Sequence, residues 1–184
     1  MDQHSIIQGC KKGQEKAFKA LVDQYAPKLM AVCLRYLNDA DLAKDALQES
    51  LISVFKSIAT YNGSGSFDGW LTKITVRACL SELRKKKHLH DLTIVDQQEI
   101  KAYEDHQSFD MDDIIKLINK LPDLQRIVFN MNIVEGYSHA EIGTLLNIAE
   151  SSSRVYLARA RKWLQESIES SERRQQILKT KLTR

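Results

Sequence analysis

Apolar side chains at three- and four-residue steps recur along this 184-residue chain, which has only 7 glycines and 2 prolines. That period marks amphipathic helices, and so few turn residues leave little chemistry for joining many strands. The fold is therefore expected to be all-α. Phe18, Leu21, Val22, Tyr25, Leu29 and Val32 trace one helix, which Pro27 is expected to bend or divide. Asn38-Asp39 supplies capping oxygens for a second helix, with Leu42, Ala46, Leu47, Ser50, Leu51, Val54, Phe55 and Ile58 on one face. Its other face carries Asp41, Lys44, Asp45, Gln48 and Glu49. A Gly/Ser loop, residues 61–66, breaks the period, and Ser66 or Asp68 can cap the helix after it. The apolar stripe of that helix is Phe67, Trp70, Leu71, Ile74 and Ala78, ending in Arg84-Lys85-Lys86-Lys87.

Charge divides the chain further. Residues 70–90 carry Lys73, Arg77, Arg84, Lys85, Lys86 and Lys87 against Glu82, a net +5 with histidine neutral. Residues 150–163 carry Arg154, Arg159, Arg161 and Lys162 against Glu150, a net +3. Between them, residues 91–113 hold eight carboxylates against Lys101, a net −7. The whole-chain charge of +3 hides this, because the signs cancel in the sum and not in space. Two basic helical surfaces suit polyanions. An acidic stretch that loses the helical period suits a flexible linker. The expected organisation is two small helical domains, 1–90 and 110–184, joined by an acidic flexible linker, 91–109.

The second domain opens with Ile114, Ile115, Leu117 and Ile118, and Leu121-Pro122 ends that helix. Pro122 fits the first turn of the next helix, where no amide donor is needed. That helix carries Leu124, Ile127, Val128, Met131 and Ile133 and stops at Gly136. Ser138-His139-Ala140-Glu141 is a capping box opening a short helix, 139–146. Asn147-Ile148-Ala149 makes a tight turn, and a last helix begins near Ser151.

Several function classes are excluded or disfavoured. There is no Gly-rich phosphate loop, no His-Glu-x-x-His and no nucleophile constellation, so no catalytic residue is assigned. Cys10, Cys33 and Cys79 are odd in number and far apart, which argues against a disulfide framework or zinc site. The five histidines are scattered, so no metal ligand and no cofactor is assigned. No apolar run approaches the roughly 20 residues of a spanning helix. The chain is expected in the cytoplasm, without membrane insertion.

Three constellations point to partners. A capped helix, a short turn and a basic second helix over 138–163 form a helix-turn-helix pattern. Its second helix would place Ser151, Ser152, Ser153, Arg154 and Tyr156 at base edges, with Arg159, Arg161 and Lys162 suited to phosphates. An ordinary helical hairpin with a solvated basic face would show the same pattern. Over 61–87, aromatic residues precede a basic helix, an arrangement suited to unpaired bases. Phe67 and Trp70 share the apolar stripe and read as core, while Tyr61, in the loop, reads as freer to meet a ligand. The acidic face Asp41, Asp45, Gln48 and Glu49 is either a solvated surface or a protein-docking face.

Taken together, three segments resemble one family. Asp41-Leu42-Ala43-Lys44-Asp45-Ala46-Leu47-Gln48-Glu49-Ser50-Leu51-Ile52-Ser53-Val54-Phe55 resembles the A-x-D-x-x-Q-E-x-F helix of sigma-70-family initiation factors. Phe67-Asp68-Gly69-Trp70-Leu71-Thr72-Lys73-Ile74, followed by Leu83-Arg84-Lys85, resembles the next helix of that domain. Gly136-Tyr137-Ser138-His139-Ala140-Glu141-Ile142-Gly143 and Arg159-Ala160-Arg161-Lys162-Trp163-Leu164 are similar to the C-terminal helix-turn-helix. The short length resembles the extracytoplasmic-function group.

The resemblance implies a promoter-specificity subunit, not an enzyme. Asp41, Asp45, Gln48 and Glu49 would bind core RNA polymerase. Tyr61, Asn62, Trp70, Lys73, Arg77, Arg84, Lys85 and Lys86 would meet the −10 element of promoter DNA. Ser151, Ser152, Ser153, Arg154, Tyr156, Arg159, Arg161 and Lys162 would meet the −35 element. An anti-sigma factor would mask these surfaces. Many members carry Asn where this chain has Arg77 and Asp where it has Ser81, and Ser151-Ser152-Ser153 departs from the commoner Gly-Thr-Val. The rival reading is a stand-alone helix-turn-helix regulator that binds duplex DNA without polymerase.

Overall fold

The computed structural model describes residues 1–85 and 111–182, with the side chains of 111–112 and 171–182 outside the description. The expected linker 91–109, with Lys86 and Lys87, lies outside the described residues. All regular structure among the described residues is helical, and the chain divides into two compact units, Met1–His88 and Leu89–Arg184.

In the first unit, α1 (Gln3–Lys11) starts at Asp2, whose carboxylate accepts from the Ser5 amide at 2.7 Å. The turn to α2 (Glu15–Leu37) packs Gly9 so closely on Ala17 that an added Cβ would lie 2.5 Å from the Ala17 Cβ. Pro27 does not divide α2, contrary to the expectation from sequence. It sits on the exposed face, so the carbonyl one turn back, at exposed Asp23, faces water rather than the core. Asn38 ends α2 in the left-handed region (φ 49°), and its amide donates to the Leu34 carbonyl at 3.0 Å.

Asp39 then caps α3 (Ala40–Ser57) by accepting from the Asp41 and Leu42 amides. After a 3₁₀ turn (Ile58–Thr60) and the loop, Ser66 accepts from the Gly69 amide at 3.0 Å and caps α4 (Phe67–Lys85). Helices α2, α3 and α4 pack on one another. Leu21, Leu29 and Leu71 are fully enclosed, each contributing about 1.5–3 kcal/mol. One buried polar contact joins α3 to α4: Ser50 Oγ lies 2.7 Å from Thr75 Oγ1, which also donates to the Leu71 carbonyl at 3.0 Å. Phe55 departs from its expected burial. It remains 37% exposed, with one edge against Phe18 at 4.4 Å between ring centroids.

The second unit comprises α5 (Met111–Lys120), α6 (Asp123–Phe129), α7 (His139–Leu146) and α8 (Glu150–Leu182). Pro122 stands one position before the first turn of α6, as its cap, and its carbonyl accepts from the Arg126 amide at 2.9 Å. Asn130–Val134 then forms a π turn, with the Glu135 amide reaching the Asn130 carbonyl at 3.0 Å. The extra residue rotates the apolar stripe by roughly 100°. Ile133, expected inside, is therefore 44% exposed, while Met131 is fully buried. Gly136 (φ +76°) reverses the chain into α7.

Candidate nucleic-acid interface and acidic docking face

The helix-turn-helix is set by its caps. Ser138 Oγ accepts from the Glu141 amide at 3.3 Å, and the Ser138 amide donates back to Glu141 Oε2 at 2.8 Å, completing the box. Asn147 ends α7 with φ 55°. The turn carbonyl of Ile148 lies 2.9 Å from where a Cβ on Gly143 would sit, so only glycine admits this close return. The chain then enters α8.

Along α8, Leu157, Ala160 and Leu164 face the core. Ser151, Arg154, Arg159, Arg161 and Lys162 are exposed, and Ser152 and Tyr156 are half-buried. Ser153 departs from expectation. It is fully buried, with its Oγ 2.9 Å from His139 Nδ1, and cannot reach a base edge. Its 3.6-residue register puts it on the side of Leu157 and Ala160. Arg154 is held by an ion pair with Glu150 one turn earlier, and Lys162 approaches Glu166 at 3.8 Å. Sequence reading missed Val155 and Ala158, both exposed on the outward face. The signal was their register, opposite Leu157 and Ala160.

In the first unit, Trp70, Lys73, Arg77, Ser81 and Arg84 fall within roughly 80° of one another around α4. Lys73, Arg77 and Arg84 are exposed, while Trp70 and Ser81 are half-buried. Trp70 stacks on buried Phe67, with centroids 5.6 Å apart and planes 15° apart. Tyr61 corrects the sequence reading. It is 8% exposed, packed on Phe67 and Trp70, and its hydroxyl donates to the Gly65 carbonyl at 3.0 Å. The loop folds over the ring and makes it part of the core. Asn62 is exposed, and its Oδ1 accepts from the Ser64 amide at 2.9 Å.

Lys85 also lies elsewhere than expected. It pairs with Glu82 at 2.6 Å and lines an open cleft of about 230 Å³ between α3 and α4 with Asp45, Gln48, Glu49 and Ile52. The Glu82 hydrogen bond, with help from the charges of Glu49 and Asp45, raises the Lys85 pKa. The structure thus gathers Asp45, Gln48 and Glu49, adds Glu82 and 37%-exposed Ile52, and leaves Asp41 outside, paired with Lys44 at 3.0 Å. Glu82 was hidden from sequence reading because it lies in the basic stretch. Among the described residues no group of three His, Cys, Asp or Glu side chains is gathered to hold a metal ion.

The sigma-70 region 2 model matches residues 21–89, and the sigma-70 region 4 model matches residues 111–164. The chain belongs to the sigma-70 family. This sigma factor is 28% identical to the extracytoplasmic-function RNA polymerase sigma factor SigW of Bacillus subtilis, over 88% of this chain and 94% of that protein. It is 22% identical to the RNA polymerase sigma-H factor of Pseudomonas aeruginosa, over 89% and 92%. It is a promoter-recognition factor of the extracytoplasmic-function group, from a family of initiation factors that are not enzymes. A region 2 match beside region 4 disfavours the stand-alone regulator.

Solved structures share its fold. The sigma factor RpoE of Bartonella quintana, in complex with the anti-sigma factor NepR, gives a TM-score of 0.52 at 23% identity, covering 84% of this chain and 98% of that one. CnrH, in complex with the cytosolic domain of CnrY, gives 0.51 at 16%, covering 90% and 96%.

Proposed function

We propose that this sigma factor docks on core RNA polymerase through the cleft of Asp45, Gln48, Glu49, Ile52 and Glu82, and opens promoters with the rest of its surface. The carrying observation is the separation of charge within the first unit. The acidic cleft lies between α3 and α4, whereas Lys73, Arg77 and Arg84 share a different stripe of α4. Acidic groups repel DNA, so a protein is the natural occupant of the cleft.

The α4 stripe, with Asn62 in the adjoining loop, contacts the −10 element. Its cations hold the backbone, and the half-buried Trp70 meets unpaired bases. Capturing a base outside the stack offsets a few kcal/mol of unstacking. Arg154 and Ser151 on α8 meet base edges of the −35 element, and Arg159, Arg161 and Lys162 take phosphates. The functional division is 1–90 for polymerase and −10 contacts, 91–109 as the linker, and 110–184 for the −35 element. The factor carries no chemistry of its own and works in the cytoplasm, a reading supported by its membership of a family of transcription initiation factors. An anti-sigma factor holds it inactive, a reading supported by two fold neighbours solved in complexes, one of them with a named anti-sigma factor.

Transcription in vitro with core enzyme, followed by start-site mapping, tests this reading. Start sites that require both proteins and share upstream elements are expected. Tight promoter binding by the free chain, with no initiation in the presence of core enzyme, would overturn it.

A further inference from the structure

The outward face of α8 is not uniformly polar. Around the helix, Ser151, Val155, Ala158 and Lys162 lie within roughly 60° of one another, opposite the core-facing Leu157, Ala160 and Leu164. Val155, on that face, is 47% exposed. Arg154 and Arg159, both exposed, flank it. A β-branched residue on the solvent side of a helix lowers helix propensity and gains little packing in return. The fold therefore gives no account of valine at this position.

Contact with DNA does give one. Side chains in the first turns of a recognition helix reach base edges, and Val155 is in the second turn of α8. The apolar group that a base pair displays in the major groove is the C5-methyl of thymine. The geometry points to Val155, with Ala158 one turn on, as a thymine-methyl reader that fixes one position of the −35 element. Arg154 and Arg159 supply hydrogen bonds and charge but cannot recognise a methyl group. Val155 would thus add a specificity that the basic residues lack. This inference rests on the −35 reading of α8 proposed above.

The test uses holoenzyme assembled from the full chain and core polymerase. A duplex promoter library randomised at −35 gives the preferred element. Each thymine of that element is then replaced singly by deoxyuridine, which removes the methyl and keeps the hydrogen-bonding edge. At one position the wild-type complex should weaken roughly fourfold, the weight of one buried methyl. Val155→Ala should bind the thymine promoter correspondingly more weakly and lose the response to deoxyuridine there. Val155→Thr, which keeps the shape but replaces one methyl group by a hydroxyl, should show a smaller response. Thermal melting confirms that both variants fold. A preferred element without thymine, no deoxyuridine effect at any position, or an unchanged effect in Val155→Ala would each overturn the inference while leaving the promoter reading intact. Failure to initiate from any library member would overturn both.

Discussion

His139 Nδ1 lies 2.9 Å from Ser153 Oγ, so the first turn of α7 is tied by a side-chain hydrogen bond to the first turn of α8. Ser153 is fully buried, and its partner is half-buried. The bond fixes how the recognition helix leaves the turn. Ser153→Ala removes it and leaves an imidazole nitrogen without its mate. The expected cost is about 1–2 kcal/mol of stability in the second unit. Urea unfolding checks the value. An unchanged midpoint would show that the bond does not hold the two helices.

Tyr61 separates a core role from a base-stacking role. Tyr61→Phe gives up the bond to the Gly65 carbonyl and should cost about 1 kcal/mol, with promoter opening retained. Tyr61→Ala leaves a void beside Phe67 and should cost roughly 3 kcal/mol or more. Permanganate footprinting of the −10 region reports opening, and thermal melting reports stability. Loss of opening in Tyr61→Phe at full stability would show that the hydroxyl meets DNA.

Asp45 and Glu49 face the cleft and are exposed, so Asp45→Lys with Glu49→Lys should leave stability within about 0.5 kcal/mol. Core polymerase affinity should fall at least tenfold, about 1.4 kcal/mol. Asp41→Lys, outside the cleft, should have a smaller effect. Titration of labelled protein with core enzyme compares the two variants. Equal losses in both would indicate a diffuse charge effect rather than a docking site.

Burial raises the ionisation of the Cys10 thiol and the Tyr25 phenol above their ordinary values of 9.0 and 10.0. Both groups stay neutral in the folded protein at pH values where the unfolded chain has begun to ionise. The unfolded state therefore binds fewer protons, and stability falls as pH rises through and beyond these values. Below pH 9.0 the contribution is fully present. Urea midpoints across the alkaline range should decline, and Tyr25→Phe should remove the upper part of that decline. A flat profile above pH 10.0 would contradict the assignment.

Much of the local structure was legible in the sequence because capping is local chemistry. Asp39, Ser66 and the Ser138–Glu141 box act within three residues, and each was readable as a starting signal. The failures have non-local causes. Pro27 lies off the apolar stripe, where the carbonyl its ring frees faces water, and packing of the rest of α2 against the core keeps the helix continuous. Tyr61 follows the end of a helix and looked free, yet the loop closes its hydroxyl onto Gly65. Ser153 looked like its neighbours Ser151 and Ser152, but the register of α8 turned it inward.

The sequence by itself determined the helical class, the basic and acidic stretches and the helix-turn-helix, because periodicity, capping and charge are written in adjacent residues. Only the tertiary structure decided which charges share a surface. It moved Lys85 from the basic face to the acidic cleft, joined Glu82 to Asp45 and Glu49 across two helices, and left Val155 uncovered among arginines. The reason is that packing fixes the rotation of each helix about its axis, and a shift of one residue turns a side chain by roughly 100°.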